Sequence, residues 1–140
     1  MEQESVSPIF SPNHKTRKLN VLIVDDEPGY RDLLTFQLNS MGLEAKAAQS
    51  AVDALGALNS YSYSLIVTDI RMPGGLDGID FVEAYRKQRP DQKVIFITGF
   101  AEEQKLAQAL GHSFTRCIYK PFELEDFLLA VRQLLWAAEA

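Results

Sequence analysis

Five short apolar runs, each followed by a stretch with helical spacing, constrain this chain more than any other feature. The first, "LNVLIV" (19–24), is rich in β-branched residues and too short for a buried helix, so it reads as a buried strand. Pro28 stands where a helix can begin, because its missing N–H would have no partner there. Leu34, Leu38 and Met41 follow at helical spacing, and Gly42 ends that helix. "LEAKAA" (43–48) is a weaker strand, and Ser50 is placed to cap the helix "AVDALGALN". "SLIVTD" (64–69), "KVIFITG" (93–99) and "FTRCIY" (114–119) are three more strands. The helices "GIDFVEAYRKQ", "AEEQKLAQALG" and "ELEDFLLAVRQLLWAA" follow them in turn. Such alternation predicts an α/β fold, a parallel sheet with helices on both faces.

In sheets of this kind ligands bind beyond the carboxyl ends of the strands. There the polar residues converge: Asp25 and Asp26 after the first strand, Asp69 ending the third, Thr98 ending the fourth and Lys120 after the fifth. Carboxylates about 5 Å apart repel by roughly 3 kcal/mol per pair at an effective dielectric near 20. A hard divalent cation removes that cost, and Mg²⁺ favours a few carboxylates together with waters and phosphate oxygens. A remaining carboxylate is then free to act as nucleophile toward a phosphoryl group. A hydroxyl and an ammonium suit the product, each holding one phosphoryl oxygen.

At 140 residues the chain is long enough for one domain with a real core. Its net charge of -5 argues against non-specific binding to nucleic acid or anionic membrane. A single cysteine, Cys117, excludes an internal disulfide and fits a cytoplasmic setting. No apolar run approaches the roughly 20 residues of a membrane span, and no secretory signal layout opens the chain. Residues 1–18 carry Ser, Pro and a basic cluster, with only Ile9 and Phe10 as large apolar residues. They read as a mostly disordered tail, with 19–140 as the folded domain.

The set "VDDEP", "IVTDIRMPGGLDGI", "VIFITG" and "YKPF", in that order, resembles the receiver domain of two-component response regulators. The resemblance runs from about Leu19 to the C-terminus and implies a five-stranded sheet of order 2-1-3-4-5, an order for which a receiver serves as a standard example. It implies that Asp69 accepts a phosphoryl group from a histidine of a sensor histidine kinase or histidine phosphotransfer protein. It implies Mg²⁺ as cofactor, held by Asp25, Asp26, Asp69 and the backbone carbonyl of Arg71. Thr98 is then the switch hydroxyl, and Lys120 bonds the phosphoryl group from the other side, with a cis bond to Pro121. The partners implied are that kinase or phosphotransfer protein and a downstream protein target or a second copy of the chain, with no direct nucleic-acid or membrane contact. On this reading the chain is a phosphoacceptor rather than an enzyme turning over a substrate.

Two departures from the family pattern stand out. The aromatic residue usual three positions before the lysine is Cys117 here, and Tyr119 is expected to point to the opposite face. "PGGLDG" is one residue longer than the common loop, with Gly74 and Gly75 placed to absorb the extra residue. Arg71 and Phe100 are expected to flank the phosphoryl group and slow its hydrolysis to the order of hours. His112 is expected on the surface, in a loop with no partner motif, and Cys117 as a small core residue. In the last helix Leu124, Leu128, Val131 and Leu135 form the stripe facing the sheet, which leaves Leu129 and Trp136 exposed as a contact surface for a second copy or for the tail.

Because the sequence stops soon after that helix, output is expected through protein contacts or through a domain not in this chain. Two alternatives stay open: a receiver-shaped binding module that works without phosphate, and a metal-dependent phosphohydrolase. The hydrolase needs an acid-x-acid spacing on the first strand, which "DDEP" is not expected to supply.

Overall fold

A computed structural model describes residues 19–72, 74–99 and 108–136. The proposed tail, Phe100 and most of the expected helix over 101–111 lie outside the described residues; 108–110 are helical. The elements are β1 (Asn20–Val24), α1 (Pro28–Ser40), β2 (Glu44–Ala48), α2 (Ala51–Ser60), β3 (Leu65–Asp69), α3 (Gly78–Arg86), β4 (Lys93–Thr98), β5 (Thr115–Tyr119) and α4 (Leu124–Leu135). The sheet is wholly parallel, in the order β2-β1-β3-β4-β5, as the sequence led us to expect.

Side chains alternate between the two faces of a strand, and both faces here are covered. Val21, Ile23, Leu65, Val67, Ile95 and Ile97 form one core with residues of α1 and α4. Leu22, Val24, Ile66, Val94 and Phe96 form the other with residues of α2 and α3. That double burial is why β1, β3 and β4 are nearly unbroken apolar runs, whereas β2, at the sheet edge, is mostly exposed.

The helix ends follow local chemistry. Pro28 opens α1, and Gly42 lies beyond its end at φ 87°, a conformation that a side chain resists. The Ser50 hydroxyl accepts the Asp53 N–H at 3.1 Å, and the Asp77 carboxylate accepts the Asp80 N–H at 2.8 Å, capping α2 and α3. Gly74 and Gly75 take φ values of 104° and 83°, which a side chain at either position would resist. In α4 the buried face is wider than the expected stripe: Val131 and Leu135 are joined by Phe127, Ala130 and Leu134, with Leu124 and Leu128 at its margin. Leu129 and Trp136 are exposed, as anticipated. No described helix is long and apolar enough to cross a membrane.

Two local expectations need correction. Tyr119 does not lie on the opposite face from Cys117. The two are two residues apart in one strand and so share a face. The Tyr119 hydroxyl stabilises the Cys117 thiolate through a hydrogen bond, although burial is the larger effect and pushes that thiol's pKa up. Tyr119 is itself half exposed, and Cys117 is only partly buried against the core. His112, only partly exposed, has Nε2 2.8 Å from the Pro90 carbonyl, and its Nδ1 accepts the Phe114 N–H at 3.2 Å.

Candidate phosphoacceptor and metal site

Strand register alone brings the polar residues together. Val24 pairs with Thr68, so Asp25 and Asp69 stand side by side at the ends of adjacent strands. Asp69 pairs with Ile97, and Thr98 with Tyr119, which places Thr98 and Lys120 one step further along the same rim. Neighbouring strands lie about 4.8 Å apart, so side chains at one level come within contact range.

The Lys120 ammonium sits at the centre of the rim. Nζ is 2.8 Å from Glu27 Oε1, 3.0 Å from Asp69 Oδ2 and 3.3 Å from Asp25 Oδ2. The Lys120 side chain is 12 % exposed, against 3 % for Asp25, 9 % for Asp69 and 57 % for Glu27; three of the four groups are therefore withdrawn from water. Burial by itself would lower the lysine pKa. Hydrogen bonds to Glu27 and Asp69, with the charges of Asp25 and Asp69, outweigh it and raise the pKa above the ordinary lysine range.

Asp25 is held from several sides. Its N–H donates to the Ala48 carbonyl at 3.1 Å, its Oδ1 accepts the Glu27 N–H at 2.9 Å, and its carbonyl accepts from Arg31 at 2.8 Å. Burial nonetheless raises its carboxyl pKa, against the lowering effects of the Glu27 N–H and of Lys120. A carboxyl raised in the fold favours folding in its protonated form, below the unfolded value near 3.8, and that contribution is lost as pH rises through the folded value. At neutral pH the charged Asp25 is thus a net cost. Asp25→Asn is expected to stabilise the metal-free protein by about 1 kcal/mol, a rise of a few degrees in Tm, and the gain should shrink as pH falls toward 4. Thermal denaturation in chelator at two pH values checks this; a lower Tm at pH 7 contradicts it.

Asp69 is fixed through the backbone around it. Arg71 N–H donates to its Oδ1 at 3.3 Å, and the Thr68 hydroxyl donates to its carbonyl at 2.9 Å. Gly78 packs directly beneath, its N–H on the Ile70 carbonyl at 2.8 Å, where any Cβ would run into the Asp69 carbonyl oxygen. Thr98 is fully buried, and its carbonyl accepts the Lys120 N–H at 2.8 Å. The Lys120–Pro121 bond is cis.

Among the described residues the carboxylates that gather are those of Asp25, Glu27 and Asp69, with one oxygen from each within 4.8 Å of the others. Asp26 is exposed and outside this group. The chain bends at Asp26, where the Glu27 N–H turns back onto Asp25 Oδ1 at 2.9 Å, and residues 25 and 27 both reach Lys120 Nζ. An acid-x-acid pair therefore does stand beyond β1, contrary to the expectation for "DDEP". Glu27 was legible only as the third of three consecutive acids, and nothing in composition singled it out over Asp26. Of the sequence-predicted site residues, Asp25, Asp69, Thr98 and Lys120 come to one rim, and Arg71 touches Asp69 through its N–H.

The chain matches the family model for the response regulator receiver domain over residues 21–132. It is 31% identical over 134 residues to the sensor protein EvgS of Escherichia coli K12, covering 96% of this chain and 11% of that protein. It is 33% identical over 115 residues to the transcriptional regulatory protein TdiR of Thauera aromatica, covering 82% of this chain and 50% of the relative. It thus spans at most half the length of either relative. Among solved structures, a CheY-like receiver domain protein of Methanospirillum hungatei superposes with a TM-score of 0.81 at 28% identity, covering 88% of this chain and 98% of the other. The response regulator TrrA of Thermotoga maritima, solved in complex with Mg²⁺–BeF, gives 0.74 at 30% identity over 84% of this chain and 99% of its own. With sheet order, rim residues and family match in agreement, this chain belongs to the response regulator receiver domain family.

Proposed function

We propose that this chain is a phosphorylation-driven signalling switch of a two-component phosphorelay, working in the cytoplasm. Asp69 accepts a phosphoryl group from the histidine of a sensor histidine kinase or histidine phosphotransfer protein, and output passes through protein contacts. The observation that carries this reading is the Lys120 ammonium bonded to Asp69 Oδ2 within a knot of three carboxylates at the carboxyl rim of the sheet.

An all-oxygen donor set with oxygens within 4.8 Å suits a hard divalent cation. Asp25 and Asp69 would hold Mg²⁺, with Glu27 or Asp26 and the Arg71 carbonyl completing the protein ligands. Bound there, Mg²⁺ supplies neutralisation of the charge on the phosphoryl oxygens. The Asp69 carboxylate attacks phosphorus; an O–P bond forms, the N–P bond of the phosphohistidine breaks, and the departing imidazole takes a proton. Lys120 leaves the carboxylates to bond a phosphoryl oxygen, and the Thr98 hydroxyl donates to another. The reacting groups are thus positioned by strand ends rather than by mobile loops, and positioning is most of what phosphoryl transfer requires.

Incubation with acetyl phosphate and Mg²⁺, followed by intact-mass measurement, tests the reading. One phosphoryl group is expected on the wild type, none on Asp69→Asn, and none in chelator. Continuous phosphate release with no adduct would favour a phosphohydrolase. A folded protein that never gains mass would favour a phosphate-independent binding module.

A further inference from the structure

Tyr30 takes no part in the chemistry above, yet among the described residues its ring is the aromatic face against the central cation. It is the third residue of α1, only partly exposed, and its centroid lies 4.1 Å from Lys120 Nζ. The ring is itself held. Phe122, two residues beyond Lys120, stacks on it at 5.8 Å with 28° between the planes, and Phe122 in turn contacts buried Phe127 at 6.1 Å. A chain of three aromatics therefore runs from the core of α4 to the ammonium.

The three N–H donors of Lys120 go to three carboxylates in the state described here. Those anchors weaken once the carboxylates are turned toward a cation and one carries a phosphoryl group as an acyl phosphate. An aromatic face keeps its attraction for the ammonium throughout, because the ring quadrupole depends on neither event. The Lys120 side chain is only 12 % exposed, and this limited access of water strengthens the contact.

We propose that Tyr30 is a positioning residue for Lys120, its ring keeping the ammonium beside Asp69 while the carboxylates change partners. This deepens the proposed function and rests on it. The aromatic face is what matters, so phenylalanine should serve and an aliphatic residue should not.

Two measurements on the full chain test it. In the metal-free protein with 13C-labelled lysine, a ring above Nζ shifts the Lys120 ε-methylene protons upfield; Lys120→Met identifies the signal. The shift is expected in the wild type and Tyr30→Phe, and lost in Tyr30→Leu and Tyr30→Met. With acetyl phosphate and Mg²⁺, adduct formation is expected to slow about three- to tenfold in Tyr30→Leu and Tyr30→Met and to stay within about twofold of wild type in Tyr30→Phe. Two aliphatic variants are used so that one folded example suffices, checked by circular dichroism. Wild-type rates in a folded aliphatic variant, or failure of Tyr30→Phe to restore the rate, overturn the proposal while the switch reading stands. A wild type that forms no adduct overturns the switch reading itself and the role of Tyr30 with it, even where the upfield shift is seen.

Discussion

Lys120→Met is expected to bind Mg²⁺ or Mn²⁺ at least about tenfold more tightly than the wild type, while its metal-free form is less stable by about 3 kcal/mol. Both effects come from one position. In the metal-free protein the ammonium is the counter-charge for Asp25, Glu27 and Asp69, bonded to all three within 3.3 Å. Removing one member of a buried charged group leaves the others uncompensated, which typically costs several kcal/mol. A divalent cation and the ammonium seek the same oxygens, so without the ammonium the cation meets a site of greater negative charge and no competitor.

The pH dependence separates this account from a simple packing loss. A lysine whose folded pKa is raised contributes stability fully below its unfolded value of 10.5 and loses it only as pH rises through the folded value. The wild type therefore keeps this contribution from pH 5 to 9. In Lys120→Met the carboxylates must ionise against each other, so metal-free stability should fall between about pH 4 and 7 and be restored by millimolar Mg²⁺. Titration with Mn²⁺ followed by its electron paramagnetic resonance, together with denaturation at several pH values, checks both halves. Unchanged cation affinity would remove Lys120 from the centre of the site.

How far the site could be read from sequence depends on which rule governed each residue. β1, β3 and β4 were legible because a strand buried on both faces has to be apolar along its length, and their final residues followed from that. Strand order was not contained in the pattern; it came with the motif resemblance. That Glu27 reaches Lys120 while Asp26 is exposed is set by the bend after β1, and three consecutive acids look alike to any composition argument. The period-2 rule was sufficient for Tyr119, since residues 117 and 119 share a face, and there the error lay in the phase. The bonds of His112 to Pro90 and Phe114 join segments distant in sequence or set by local turns, with no motif to announce them. Tyr30 is similar: it meets Lys120 across 90 residues of chain, through an attraction that leaves no periodic trace.

Gly78 belongs to the same class, and the most damaging small substitution follows from it. Gly78→Ala is expected to destabilise the protein by about 3 kcal/mol, lowering Tm on the order of 10 °C, and to slow phosphorylation of whatever protein remains folded. Its φ is not among the positive ones, so alanine suffers no backbone penalty there, and as the first residue of α3 it sits where alanine would normally favour a helix. Space decides the outcome. An added Cβ would overlap the Asp69 carbonyl oxygen and crowd the Cα of Ile70 at 3.1 Å. Both obstacles are backbone, with no flexible side chain to swing aside, so either α3 moves outward or the end of β3 moves. Outward movement breaks the Gly78 N–H to Ile70 carbonyl bond and uncovers Ile79, Phe81 and Val82, all buried. Movement of β3 carries the Asp69 carboxylate away from Lys120 and Asp25. Gly29→Ala serves as the control, because a Cβ there meets nothing within 4 Å, and it should change Tm by no more than about 2 °C. Equal melting temperatures for the two variants would show that the floor beneath Asp69 yields, and that the carboxylate is held by its ion pairs rather than by the packing of α3 beneath it.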